Sequence, residues 1–185
     1  RLTVQENEAE VPLDLREVGL EVTMLGDRAE VVWDVLFRHQ HPGQREGEFS
    51  LRLPEGATVS TFAMDVPWMK EPWETGTTMR EATAVGRAQA RNAYESIKAQ
   101  RIDPGLVERE AGNTYRTRIF PLPRDGTKRV RIGYVMATDL RDGRHRVELP
   151  LDQGDWGVKT YRISVRSAGG EEVVAMMPDG QAPRG

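Results

Sequence analysis

The chain has 185 residues and no cysteine, and its 29 acidic residues against 26 lysines and arginines give a net charge of -3. The length fits one domain with a real core, and the charge gives no reason to expect nucleic acid as a partner. Disulfides, thiol nucleophiles and thiolate metal sites are excluded. No run reaches the roughly 18 apolar residues of a membrane helix, so we expect no direct membrane insertion by this segment.

The N-terminal part predicts a strand hairpin. Residues 1–10 are polar and without periodicity, so we expect a flexible lead-in. Apolar residues then alternate from Val18 to Met24 and again from Ala29 to Phe37, on either side of a Gly26-Asp27 turn signal. Period-two alternation is typical of half-buried strands, and the short turn predicts that the two strands pair antiparallel.

Two further strands are predicted before the chain becomes irregular. The first runs from Glu48 to Pro54, where the proline ends it. The second runs from Thr58 to Asp65 with Val59, Phe62 and Met64 facing inward. Because their spacing breaks the alternation once, we expect a β-bulge in this strand.

The segment from Pro67 to Gly76 holds two prolines and two tryptophans without regular periodicity, and predicts a loop. Trp68, Met69 and Trp73 are the candidate interaction residues, because tryptophan is enriched at binding hot spots. The other interpretation, that one or both tryptophans fold back and cover the end of the sandwich, is slightly favoured by the residues alone. A short return strand is expected within 77–85.

One short amphipathic helix is predicted from about Arg87 to Gln100. Ala90, Tyr94 and Ile97 share one face of a 3.6-residue period. The helix is too short to be stable alone, so we expect this face to lean on the sheets. The helix ends before three residues that stop it, Asp103, Pro104 and Gly105.

A second hairpin is predicted around the proline-rich turn from Pro121 to Gly126. Alternating strands flank it, from Tyr115 to Phe120 and from Val130 to Tyr134, with one apolar face and one arginine-rich face. The arginines could form one basic stripe for a polyanion, but we favour a polar face paired with nearby acids, because the chain is acidic overall. These residues are Arg116, Arg118, Arg129 and Arg131.

The C-terminal part predicts closing strands at His145 to Leu151 and Tyr161 to Val165, with a further edge strand from Glu171 to Met177. The tail 178–185 is expected to be loose. We therefore expect a single domain over residues 11–177, following the lead-in.

A search for chemistry yields no catalytic group, no cofactor site and no metal site. The sequence has neither a Gly-x-Ser-x-Gly motif nor a phosphate-binding glycine-rich loop. His39 and His41 could bind zinc with Glu46 or Glu48, but two solvated loop histidines are the favoured reading, because a site needs a third placed ligand. The sequence therefore favours a binding module and not an enzyme.

The order of these motifs resembles the vault protein inter-alpha-trypsin domain, or VIT domain, over roughly residues 11–151. The resemblance implies an antiparallel β-sandwich with one packed helix, and a non-catalytic role in protein association. It is strongest in the central segment, and we expect the shared residues there to be fold determinants. These motifs are Ala90, Tyr94 and Ile97 on the helix, Asp103-Pro104-Gly105, Gly112-Asn113, Tyr115-Arg116, Phe120-Pro121-Leu122-Pro123 and Lys128 to Ile132.

The resemblance also implies a setting. Such domains commonly precede a von Willebrand factor A domain, so we expect an adjoining domain or another protein as partner. The arginine-, glycine- and alanine-rich composition favours a bacterial envelope or secreted protein, with a cytoplasmic location left open. The alternative function is a carbohydrate-binding or adhesin-like sandwich, in which Trp68, Trp73 and Trp156 would be stacking platforms.

Overall fold

The computed structural model describes residues 1–6, 9–40, 43–71, 74–81, 107–109, 113–149 and 160–174. Within these residues the fold is mainly β, and no helix occurs. The helix expected at 87–100, with Ala90, Tyr94 and Ile97, and its stop at Asp103, Pro104 and Gly105 lie outside the described residues. The strands are β1 Leu2–Glu6, β2 Ala9–Pro12, β3 Asp14–Leu25, β4 Arg28–Arg38, β5 Arg45–Arg52, β6 Thr58–Glu71, β7 Glu74–Glu81, β8 Val107–Arg109, β9 Thr114–Leu122, β10 Thr127–Ala137, β11 Asp139–Arg141, β12 Arg144–Arg146 and β13 Thr160–Ser167.

Two sheets form a sandwich around one core. A five-stranded sheet has the order β2-β1-β5-β9-β8, and a six-stranded sheet has the order β13-β3-β4-β10-β6-β7. Phe49 of the first sheet meets two rings of the second, with centroids 6.2 Å from Phe37 and 6.4 Å from Phe62. Buried residues from both sheets belong to one hydrophobic cluster. The expected antiparallel β-sandwich is confirmed.

The first predicted hairpin is confirmed. β3 and β4 pair antiparallel, with Val18 opposite Val35 and Val22 opposite Val31. Gly26 in the turn has a φ of 67°, a conformation that glycine adopts without steric cost. The alternate residues of both strands are buried because they face the other sheet.

The bulge predicted in the strand from Thr58 to Asp65, which is part of β6, is also confirmed. β10 pairs Gly133 with Thr61 and Tyr134 with Val59, so Ser60 is an extra residue on β6. Because of this extra residue, Val59 before the bulge and Phe62 after it both face the same core, although they are three positions apart. The broken spacing in the sequence is therefore the trace of this extra residue.

The hairpin predicted around the proline-rich turn is wrong. β9 pairs with β5 and β8, whereas β10 pairs with β4 and β6, so the two strands belong to different sheets. The turn between them crosses from one sheet to the other, and Leu122 and Val130 enter the same core from opposite sides. Alternation shows that a strand has one buried face, but it does not show which strand lies beside it.

The lead-in prediction is also wrong for the residues that the structure describes. Leu2 and Val4 are buried, and β1 pairs with both β2 and β5. The core contact of these two apolar residues orders a segment that is otherwise polar.

At the other end, β11 and β12 form a separate two-stranded hairpin through Asp142 and Gly143, while residues 147–149 and 171–174 form no strand. The predicted strand at Tyr161 is β13, which pairs parallel with β3 at the sheet edge. The remainder of both predicted terminal strands, and the tail 178–185, fall outside the described ranges.

Candidate functional site

β6 and β7 continue as a two-stranded ribbon past the last pair of β6 with β10. The last pair of β6 with β10 is Met64 with Val130, whereas the pairing with β7 continues to Glu71 opposite Glu74. We call residues 65–71 and 74–79 the ribbon. Its seven β6 residues, at about 3.3 Å per residue, span about 20 Å.

The irregular loop expected at Pro67 to Gly76 is thus a strand pair as far as the structure describes it, and this part of the prediction is wrong. Pro67 lies opposite Thr77, and Trp68 lies opposite Gly76. Proline suppresses a strand prediction, yet it is tolerated where a strand has a neighbour on one side only. Beyond Met64, β6 has β7 alone as its described neighbour.

The backbone places two of the three candidate interaction residues on the ribbon. Trp68 and Met69 occupy consecutive positions of β6. Trp73 lies outside the described residues, and so does Trp156 of the carbohydrate-binding alternative. The assignment of Trp68, Met69 and Trp73 to an interaction site stays a prediction, and the first two of these residues lie on a strand pair and not on a loop.

A cleft of about 360 Å³ lies where the ribbon leaves the sheet, beside the crossover turn between β9 and β10. We call it the ribbon cleft. Residues from the ribbon, from the crossover turn and from the chain before β5 line it together. They are Gln44, Asp65, Pro67, Thr77, Pro121, Pro123, Arg124, Thr127 and Lys128.

Lys128 and Asp65 form an ion pair in this cleft. The Lys128 side chain is 2% exposed and that of Asp65 is 14% exposed, with 3.6 Å between Nζ and Oδ1. Nζ also donates to the Asp65 carbonyl, and Oδ1 accepts the Arg129 amide at 2.9 Å. Burial raises the pKa of Asp65, although the charge of Lys128 opposes this shift. The alternation of β10 could have revealed Lys128, since it lies in phase with the buried Val130 and Ile132.

His39 is buried and not a solvated loop residue, so that part of the prediction is wrong. It lies in phase with the inward residues of β4, two positions after Phe37. Its Nδ1 lies 2.7 Å from the Pro123 carbonyl oxygen, and its amide donates to the Gly126 carbonyl at 2.8 Å. His39 therefore ties the end of β4 to the crossover turn, while His41 lies outside the described residues.

Three of the expected fold determinants, Phe120, Pro121 and Pro123, lie in the crossover segment and differ in their burial. Pro121 is buried, and Phe120 and Pro123 are half-buried. The Phe120–Pro121 peptide bond is cis. Both prolines line the ribbon cleft, so this segment connects the sandwich core with the surface where the ribbon begins.

The four arginines do not form one stripe. On the five-stranded sheet, Arg116 lies 3.1 Å from Glu48, and Arg118 lies 3.8 Å from Glu46. The other two lie on the outer face of the opposite sheet, where Arg129 is 3.1 Å from Glu17 and Arg131 is 2.6 Å from Asp34. The favoured interpretation is confirmed for the pairing with acids, but the four arginines do not share the outer face of one hairpin.

In the described part of the chain, no three histidine, aspartate or glutamate side chains come together as a possible metal site. No helix there is long and apolar enough to cross a membrane.

The sequence of the chain was compared with models of known protein families and with curated protein sequences. A family model described as the vault protein inter-alpha-trypsin domain matches residues 15–134, more than half of the chain. The match begins in β3 and ends in β10, and it includes the ribbon residues and the crossover turn. A comparison with curated protein sequences gave no match. The matched family is one of non-catalytic interaction domains. This chain therefore belongs to the vault protein inter-alpha-trypsin, or VIT, domain family.

Proposed function

We propose that this chain is a protein–protein interaction module of a larger protein, and that the ribbon contacts the partner. The observation that carries the proposal is that β6 and β7 stay paired for about 20 Å after the last pair of β6 with β10, with Trp68 and Met69 on this part. Val66 near its start still packs in the core, so the ribbon is anchored in the domain at one end.

The edge of the ribbon supports this role. β7 is the last strand of its sheet, so one side of its backbone has no strand neighbour among the described residues. Its side chains at Thr77, Thr78 and Met79 are exposed. An edge strand offers backbone N–H and C=O groups to a strand of another protein, and tryptophan supplies binding energy at such contacts.

The partner that we propose is an adjoining domain of von Willebrand factor A type in the same protein, in a bacterial envelope or secreted setting. The family resemblance supports the domain pair, and the arginine-, glycine- and alanine-rich composition supports the setting. The parent sequence after Gly185 tests this directly. An Asp-x-Ser-x-Ser segment there would support the pair, and an unrelated domain would contradict it.

The ribbon is tested with the double variant Trp68→Ala/Trp73→Ala. Its affinity for the separately produced neighbouring domain, measured by calorimetry, should fall at least about tenfold, since hot-spot residues contribute about 2 kcal/mol or more. The melting temperature should stay unchanged. Tyr161→Ala is the matched control, because Tyr161 is an aromatic residue 48% exposed on β13, at the opposite edge of the same sheet.

Two outcomes would contradict the proposal. An unchanged affinity would remove the tryptophans from the contact, and a large drop in melting temperature would show that they cover the sandwich end instead. Glycan-array binding that is lost in Trp73→Ala would identify the carbohydrate-binding alternative.

A further inference from the structure

The ribbon cleft contains a buried cation at a surface where the partner is proposed to dock. Lys128 is 1% exposed as a residue, and its ammonium group is held by Asp65 beneath the start of the ribbon. Thr77 of the ribbon lines the same cleft, so a chain lying along the ribbon would pass its opening. The cleft is therefore placed to receive a side chain of such a partner.

The charges that line the cleft favour an anion. Two cations, Lys128 and Arg124, face one carboxylate, Asp65. Arg124 stands at the rim with its side chain 71% exposed, and it forms an exposed ion pair at 3.7 Å with Asp125, which is outside the cleft lining; such exposed pairs contribute little and can exchange partners. Among the lining residues a cationic group would meet one more positive than negative charge, whereas a carboxylate would balance them.

The remaining lining suits a carboxylate on a short apolar stem. The Gln44 amide and the Thr127 hydroxyl can each donate a hydrogen bond. Pro67, Pro121 and Pro123 add apolar, rigid wall surface, beside which a charge-assisted hydrogen bond is stronger than in open water. A volume of about 360 Å³ is at the small end of ligand pockets, enough for one or two side chains and too small for a folded element.

We propose that the ribbon cleft binds an acidic side chain, aspartate or glutamate, of a peptide segment of the partner protein. This inference rests on the proposed function, because it names what the partner presents to the ribbon. Arg124 and Thr127 donate hydrogen bonds to the incoming carboxylate, while Lys128 supplies buried positive charge behind them. A polyanion fits less well, because the four arginines of the outer faces lie on opposite sheets and do not form one stripe.

The experiment is a titration of the ¹⁵N-labelled chain, followed by amide chemical shifts. The probes are two capped peptides, acetyl-Ala-Leu-Glu-Leu-Ala-amide and its twin with glutamine in place of glutamate. We expect the glutamate peptide alone to shift the amides of Thr77, Arg124, Thr127 and Lys128. Arg124→Gln should weaken this binding about fivefold, the size expected of a partly exposed charge-assisted hydrogen bond. Arg144→Gln, a change at an exposed arginine of β12, is the matched control and should have no effect.

Four outcomes would overturn the inference: equal shifts with the glutamine peptide, shifts confined to residues outside the cleft, no shifts at all, or full binding by Arg124→Gln. Shifts of the same amides on concentrating the chain alone would assign the cleft to a second copy, which also contradicts it. The proposed function fails separately. If Arg124→Gln leaves the affinity for the neighbouring domain unchanged while Trp68→Ala/Trp73→Ala weakens it, the acidic contact is refuted and the ribbon remains the binding surface.

Discussion

Removal of the Phe49 ring should destabilise the sandwich more than a change at any exposed site. The side chain is 2% exposed and lies between the sheets against Phe37 and Phe62. An aromatic side chain withdraws about 150–250 Å² from water, which at about 25 cal/mol per Å² corresponds to about 4–6 kcal/mol. The unfolded chain already buries part of that area. We therefore expect Phe49→Ala to lower the free energy of unfolding by about 4 kcal/mol, within the usual range for such truncations.

Urea unfolding followed by circular dichroism measures this loss. Phe49→Leu, which keeps most of the apolar volume, should lose clearly less than Phe49→Ala. Leu140→Ala is the exposed control, because Leu140 is 65% exposed on β11 and its truncation should change the free energy of unfolding by less than about 0.5 kcal/mol. A loss below about 1.5 kcal/mol for Phe49→Ala would refute the reasoning, since it would mean that the sheets do not meet at this ring.

Two more predictions concern charge. Because burial raises the pKa of Asp65 above its ordinary value of 3.8, the folded state holds this proton more tightly than the unfolded chain does. The contribution of Asp65 to stability is therefore fully present below pH 3.8 and is lost as the pH rises through the raised pKa. We expect urea unfolding at several pH values to show that the free energy of unfolding of the parent chain, relative to that of Asp65→Asn, falls across this interval. A relative free energy that stays constant or rises would contradict this sign. Because the arginines lie on opposite faces and are paired with acids, the chain should pass through a heparin column at about 0.15 M salt. Retention that decreases steeply with added salt would show a polyanion surface instead.

Local patterns in the sequence were sufficient for several elements. The alternation around Gly26 predicted the β3–β4 hairpin, and the one break in spacing before Phe62 predicted the bulge at Ser60. Both features depend on which residues of a strand face the core, and the order of apolar and polar residues along the strand indicates this. The order of the motifs from Ala90 to Ile132, within a resemblance over roughly residues 11–151, was enough to identify the family.

The candidate site was predicted less completely. Trp68 and Met69 could be singled out by residue type, but the prolines nearby concealed the ribbon that holds them. The ribbon cleft could not be predicted at all, because its lining comes from segments as distant as Gln44 and Lys128. The burial of Lys128 and His39 was weakly indicated, because each lies in phase with the buried residues of its strand. Polar residues at such positions are nevertheless predicted to be exposed until their hydrogen-bond partners are known.

The sequence by itself therefore determined the central strands β3, β4, β5, β9 and β10, the first part of β6, their buried faces and the family. Only the tertiary structure decided that β9 and β10 belong to different sheets and that Leu2 and Val4 join the core. The same holds for the four arginines, which lie on opposite faces of the sandwich. The physical reason is that the phase of a strand is fixed by its own residues, whereas its neighbour is chosen by contacts between segments far apart in the chain.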